Sequence, residues 1–321
     1  MSVLEQIFTA ATLAVILMKV APILLAAIGG AFTQQGNILN IGLEGMMLVG
    51  AFSSIVIGSV TGSPLIGVLA AVGAGLLLAL IFAVATLTFK ADFIVVGIGV
   101  NLLAAGVTVF LLQIIYGNPG VTPPSASIRL PRISIGPLAD IPILGTALNE
   151  QTALVWVALI SVPIAWFVMY RTRFGVHLRA VGEDEEAAAA AGIGVTKVKF
   201  QSVLISGVLC GAAGAQLAMA TLGSFTNGMS AGRGFIAVAA LTFGLGRPVR
   251  TMVAALIFGA ADAIADLLGI AGINSNLALM MPYIITIVAL VFAGLRLRKI
   301  WGQRRSQRAK TSSPDLSAAP A

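Results

Sequence analysis

The sequence predicts an all-α polytopic membrane protein, a helical bundle of about 8–10 transmembrane helices with a short helix in a cytoplasmic loop. Three observations carry that prediction. Hydrophobic residues make up 58% of the 321-residue chain and charged residues only 10%, whereas soluble domains carry about 25% charged residues. The apolar runs are long and continuous; a β-barrel would instead alternate over segments of roughly 10 residues. The chain also holds 36 glycines, and helices that pack in lipid use small residues to approach closely.

Taken in order, the apolar runs fall at 7–32, 40–61, 64–88, 93–116, 152–170, 201–222, 234–246, 251–268 and 277–295. Most reach the roughly 20 residues needed to cross ~30 Å of hydrocarbon. The run 234–246 is short and flanked by glycine, so it is either a short span or a half-helix that turns back inside protein. The start, MSVLEQIF, has no basic leader region and carries Glu5, so the first run is expected to be retained as a span.

Basic residues set the orientation. Arg171, Arg173, Arg179, Lys197 and Lys199 lie in a central polar loop, and Arg296, Arg298, Lys299, Arg304, Arg305, Arg308 and Lys310 lie near the C-terminus. By the positive-inside rule both segments are cytoplasmic. Lys90 and the Arg247–Arg250 turn then also fall inside, and the loops 117–150, 223–233 and 269–276 fall outside. Residues 1–300 are read as the transmembrane domain and 301–321 as a cytoplasmic, disordered tail. Although the net charge is +7, its placement beside apolar runs indicates membrane lipid as the partner and no nucleic acid.

Composition narrows the chemistry. One cysteine, Cys210 in an apolar run, and one histidine, His177 in the polar loop, leave no disulfide, metal site or catalytic triad to build. There is no G-x-x-x-x-G-K-[ST] phosphate loop, so no ATP hydrolysis and no cofactor is expected on this chain.

The polar loop 171–200 contains Gly182-Glu183-Asp184-Glu185-Glu186 followed by five alanines and Gly192. Acids suit a helix N-terminus, alanine favours the helix, and glycine ends it. A helix of about 9 residues follows, too short to stand alone, with a smooth face suited to a groove on another protein. A solvated connector would satisfy the same pattern.

Glu186-Ala187-Ala188 with Gly192 resembles the EAA-x-x-x-G element of ABC importer permeases, where a cytoplasmic helix is gripped by the ATPase subunit. The ending that usually follows is missing at Ser202-Val203-Leu204-Ile205. That departure, with TRFGVHLRAVGEDEEAAAAAGI and the later GRGFIAVAALTFG at 232–244, resembles the branched-chain amino acid, ribose and nucleoside permease group along nearly the whole chain. NILNIGLEGMMLVGA at 37–51 resembles its nucleoside-type members.

The resemblance implies a non-catalytic permease subunit of an importer in the bacterial cytoplasmic membrane, working by alternating access. Its implied partners are an ABC ATPase that uses the ATP and Mg, a second, non-identical permease subunit, and an extracytoplasmic substrate-binding lipoprotein. Gly182, Glu183, Asp184, Glu186, Ala187, Ala188 and Gly192 would form the coupling element. Ribose-like sugars and branched-chain amino acids are alternative cargoes.

Polar residues inside spans are costly and often line a path. Asn37, Asn40 and Glu44 near the second span, Asn101 in the fourth and Phe225 after the sixth are the pathway candidates. Their competing roles are caps, interhelical bonds and surface contacts. A Lys19–Asp262 pair is expected, and Asp262 with Asp266 keeps open a proton-coupled carrier.

Overall fold

The computed structural model describes the backbone of residues 10–134, 148–149 and 151–270 and the side chains of residues 12–265 within that range. The chain divides into two compact units, Met1–Ile264 and Ala265–Ala321, and the described part of the second is the end of one helix. The expected span 277–295, the tail 301–321 and the Asp266 side chain lie outside the described residues.

Ten α-helices make up the described chain. These are α1 (Ala10–Gln35), α2 (Leu43–Thr61), α3 (Pro64–Ala83), α4 (Phe93–Tyr116), α5 (Ala153–Arg171), α6 (Arg173–Glu183), α7 (Glu185–Ala190), α8 (Val195–Leu217), α9 (Arg233–Phe243) and α10 (Pro248–Ile270). Helices α3 and α8 each end in a π-helical turn, Val84–Thr88 and Ala218–Leu222. A two-residue antiparallel pairing, β1 (Arg132–Ile133) with β2 (Gln151–Thr152), sits before α5.

Seven of these helices are long and apolar enough to cross a membrane: α1 to α5, α8 and α10. Helix α9 is not. Its 11 residues span only about 16 Å at 1.5 Å per residue, so the run expected at 234–246 is the half-helix. The sixth span starts at Val195, earlier than the expected 201, because Lys197 and Lys199 continue its first turns.

Local chemistry explains the ends. Asp92 caps α4 by accepting hydrogen bonds from the backbone of Ile94 (2.9 Å) and Val95 (3.1 Å), and Gly117 ends it in the left-handed region. Ser63 caps α3 with Pro64 in the first turn.

Helix α8 is the hub. It is the most buried of the described spans, with 72% of an 18-residue apolar stretch buried against 22% in α4, and it packs against α1, α2 and α3. Close approach makes this possible: a Cβ at Gly214 would lie 2.1 Å from the Met47 carbonyl oxygen of α2. Any larger residue there must push the helices apart. Cys210 is fully buried in the same helix, as its apolar setting implied.

At one end of the bundle the connecting segments are zipped together. Thr122 and Phe225 exchange backbone and hydroxyl hydrogen bonds, Asn227 donates to the Gly120 carbonyl at 2.8 Å, and Val121 bridges Thr226. The described parts of the loops 117–150 and 223–233, both expected on the outer side, therefore lie at one end.

Candidate functional site

Two places concentrate the polar residues picked out in the sequence: the loop between α5 and α8, and the junction between α1, α2 and α9.

The loop is more structured than its sequence suggested. Thr172 caps α6, accepting from Gly175 N at 3.2 Å while donating to Val168 O at 2.6 Å. Gly175, Leu178 and Val181 form the buried face of α6. Arg179 stacks over Tyr170, 4.8 Å from the ring centre, and Arg171 over Trp166. At the end of α6, Gly182 meets α1 so closely that a Cβ would lie 2.0 Å from the Gln35 carbonyl oxygen.

The expected nine-residue helix is corrected to two elements. Glu183 ends α6. Asp184 then turns extended (φ −154°, ψ 110°), and its carboxylate accepts from Ala187 N at 2.9 Å, so it caps a separate six-residue helix, α7. A capping residue must leave helical geometry, so the acids cannot all sit in one helix. Gly192 closes α7 at φ +81°, with Gly192 N bonded to Ala189 O and Ile193 N to Ala188 O. This is a Schellman ending.

Glu183, Asp184, Glu186, Ala187 and Gly192 are exposed, while Ala188 is 4% exposed and faces inward. The coupling candidates thus form one projecting hairpin, with Ala188 its internal anchor rather than part of its outer face. Glu185 pairs with the buried Lys199 at the start of α8, tying the hairpin to the hub.

At the second place, Asn40, Glu44 and Asn101 have side-chain partners within the chain, whereas Asn37 is exposed and acts through its backbone. Asn37 (φ +57°) is the left-handed residue that ends α1, with Asn37 N bonded to Gln34 O and Ile38 N to Thr33 O. Asn40, 3% exposed, donates to Ser206 Oγ at 3.2 Å and accepts from Gly42 N at 3.0 Å. Asn101 accepts from Gly45 N at 2.7 Å and donates to Ile41 O at 3.1 Å. It lies about 12 Å along α4 from Phe93, at 1.5 Å per residue. Helix α2 therefore starts well inside the bundle, and residues 36–42 climb to it as non-helical backbone whose polar groups Asn40 and Asn101 help satisfy.

Glu44 is the cap of the half-helix. Its two carboxylate oxygens accept from Gly232 N (2.9 Å) and Gly234 N (2.6 Å) at the start of α9. A carboxylate on the free N–H groups of a helix start is the favourable arrangement. The next residue, Arg233, reaches Asp262 at 3.0 and 3.2 Å, and Lys19 lies 3.7 Å from the same oxygen. The expected Lys19–Asp262 pair is present, but Arg233 is the closer cation. Sequence reasoning passed over Arg233; its signal was a lone arginine between two glycines at the head of an apolar run.

Phe225 is fully buried, edge-on to Phe52 at 5.3 Å. It staples the outer loop and has no free face for stacking on a solute. Asn227 is exposed beside it. Two cavities of about 530 and 540 Å³ lie between α2, α3 and α4 and between α1, α5 and α8. Their linings carry one hydroxyl each, Ser53 and Ser161, among apolar side chains, which suits acyl chains rather than a polar solute.

Residues 12–290 match the family described as branched-chain amino acid transport system, permease component. The chain belongs to this family. A nucleoside ABC transporter permease of Lactococcus lactis is 38% identical over 84% of this chain and 87% of its own length. A guanosine ABC transporter permease of Bacillus subtilis is 36% identical over 85% of this chain and 89% of its own. A permease of Haloferax volcanii, assigned provisionally to glucose, is 33% identical over 87% of this chain and 90% of its own. The chain is accordingly a multi-pass membrane permease component of an ABC transport system, the translocating rather than the ATP-hydrolysing part.

Proposed function

We propose that this permease imports nucleosides across a bacterial cytoplasmic membrane, driven by ATPase subunits that dock on the hairpin Glu183–Gly192. The observation that carries the cargo is the identity of 36–38%, over most of the chain, to permeases named for a nucleoside and for guanosine. The docking reading is supported by the exposed acidic and alanine face of the hairpin and by its anchorage to α1 and α8. The partner set is an ABC ATPase, a second, non-identical permease and a substrate-binding lipoprotein. ATP and Mg belong to the ATPase. Asn40, Glu44 and Asn101 already bond this chain's own groups, which favours a pathway completed by the second permease.

Sugar import is the second reading, favoured by the Haloferax relative. Uptake of radiolabelled guanosine and adenosine, in cells lacking and re-expressing this chain, separates the two. Re-expression is expected to restore saturable uptake that unlabelled nucleosides compete away and ribose or glucose does not. Competition by the sugars alone would reassign the cargo.

A further inference from the structure

We propose that Gln35 is a positioning residue for transport: it carries displacement of the docking hairpin into the half-helix α9. This role rests on the ATPase-docking reading of the loop.

Gln35 touches both elements. The backbone of Gln35 ends α1 and receives the end of α6, where Gly182 leaves no room for a side chain. Leu178 of α6 packs on the neighbouring Gly36, 2.9 Å from where a Cβ would stand. The side chain of Gln35 points the other way. Its Nε2 donates to the carbonyls of Gly246 at 3.1 Å and Leu245 at 3.4 Å, in the turn joining α9 to α10. A shift of α6 therefore presses on the main chain of Gln35 and reaches the 245–246 turn through its amide.

The turn itself is built under strain. Leu245 sits at φ +54° and Gly246 at φ +63°. Non-glycine residues rarely adopt the left-handed region, and such outliers mark places where structure is held for a purpose. Leu245 is also 62% exposed, so packing does not hold it there. Two side-chain atoms at the same junction, Gln34 Oε1 and Thr251 Oγ1, are buried without a hydrogen-bond partner. Gln34 Oε1 lies beside Gly246 and Thr251 Oγ1 beside Gly244. The junction thus has acceptors that this arrangement leaves unused and a second arrangement can engage, which is what a two-state element requires.

The far end of α9 explains what the motion reaches. Its first turn is gripped by Glu44 and, through Arg233, by Asp262. An 11-residue helix held at one end by the docking side and at the other by the start of α2 moves as a rod between them.

The test uses the full complex of both permeases and ATPase in proteoliposomes, with transport and ATP hydrolysis measured together. Gln35→Leu removes the amide, and Gln35→Glu keeps its shape while placing a carboxylate against two carbonyls. Gln35→Lys retains a donor on a longer arm. Both loss-of-donor variants are expected to co-purify with the ATPase yet move at least about 5-fold less substrate per ATP hydrolysed, as for a coupling loss of 1 kcal/mol or more. Gln35→Lys is expected to recover part of that ratio. An unchanged ratio in Gln35→Leu and Gln35→Glu overturns the role. So does loss of the assembled complex in both, which makes the contact a folding requirement only. Ala187→Trp separates this from failure of the docking reading: if that variant still binds ATPase and transports normally, the hairpin is not the dock.

Discussion

The carboxylate of Asp262 decides between two kinds of transporter. In a proton-coupled carrier it would be a proton site, and neutralising it would abolish uptake while sparing the fold. Here it is shared by Arg233 and Lys19, with side chains only 12–17% exposed. Removing one member of such a cluster leaves cations unmatched in a poorly solvated place, at a cost of about 3 kcal/mol. Asp262→Asn is therefore expected to lower the thermal stability of the detergent-purified protein, and Asp262→Asn/Arg233→Gln to recover part of it. Uptake into energised vesicles should follow ATP and resist a protonophore. Protonophore-sensitive uptake with an unchanged melting temperature in Asp262→Asn would restore the carrier.

At the scale of elements, the docking hairpin shows how a helix too short to persist alone is held in place. Asp184 supplies the start, Gly192 the stop, and Ala188 and Glu185 the attachments. This separates two neighbouring substitutions that the sequence treats alike. Ala187→Trp adds bulk on the exposed face and is expected to abolish ATPase co-purification at normal expression. Ala188→Trp overpacks a buried position, typically 1–3 kcal/mol, and should lower expression itself. Gly192→Ala, forced into the left-handed region, is expected to cost about 1 kcal/mol and to weaken binding without abolishing it. Equal behaviour of the first two variants in a pull-down would mean that the hairpin packs differently.

The same element shows what a sequence discloses and what it hides. Helix α4 was legible to the residue because Asp92 and Gly117 punctuate it locally. Helix α6 was missed because its face, Gly175, Leu178 and Val181, is short and interrupted by charge. The pathway candidates meet a different limit. Within an apolar run, a polar residue that caps a distant helix looks the same as one that faces a solute. Glu44 meets Gly232 across 188 positions, and Asn101 meets Gly45 across 56; no local pattern records either contact.

For the whole molecule, the strongest claim is the assignment of its ends. The zipped loops around Asn118 and Asn227 lie at one end, while Gln35, which touches both Gly182 and the Leu245–Gly246 turn, puts the hairpin and that turn together at the other. The basic residues mark that second end as cytoplasmic. Nature has supplied a clean background for testing this, since the chain has a single cysteine and it is fully buried. Asn118→Cys and Asn227→Cys are expected to react in intact cells with a membrane-impermeant maleimide. Glu186→Cys and Leu245→Cys should react only after the cells are opened. The unsubstituted chain should remain unlabelled in both conditions. Labelling of Leu245→Cys from outside would mean that the segment carrying α9 turns back to the outer face or that the chain is inverted, and Glu186→Cys tells these apart. If Glu186→Cys stays protected in intact cells, only the half-helix is misassigned; if it reacts, the positive-inside orientation fails, and with it the docking of a cytoplasmic ATPase on this hairpin.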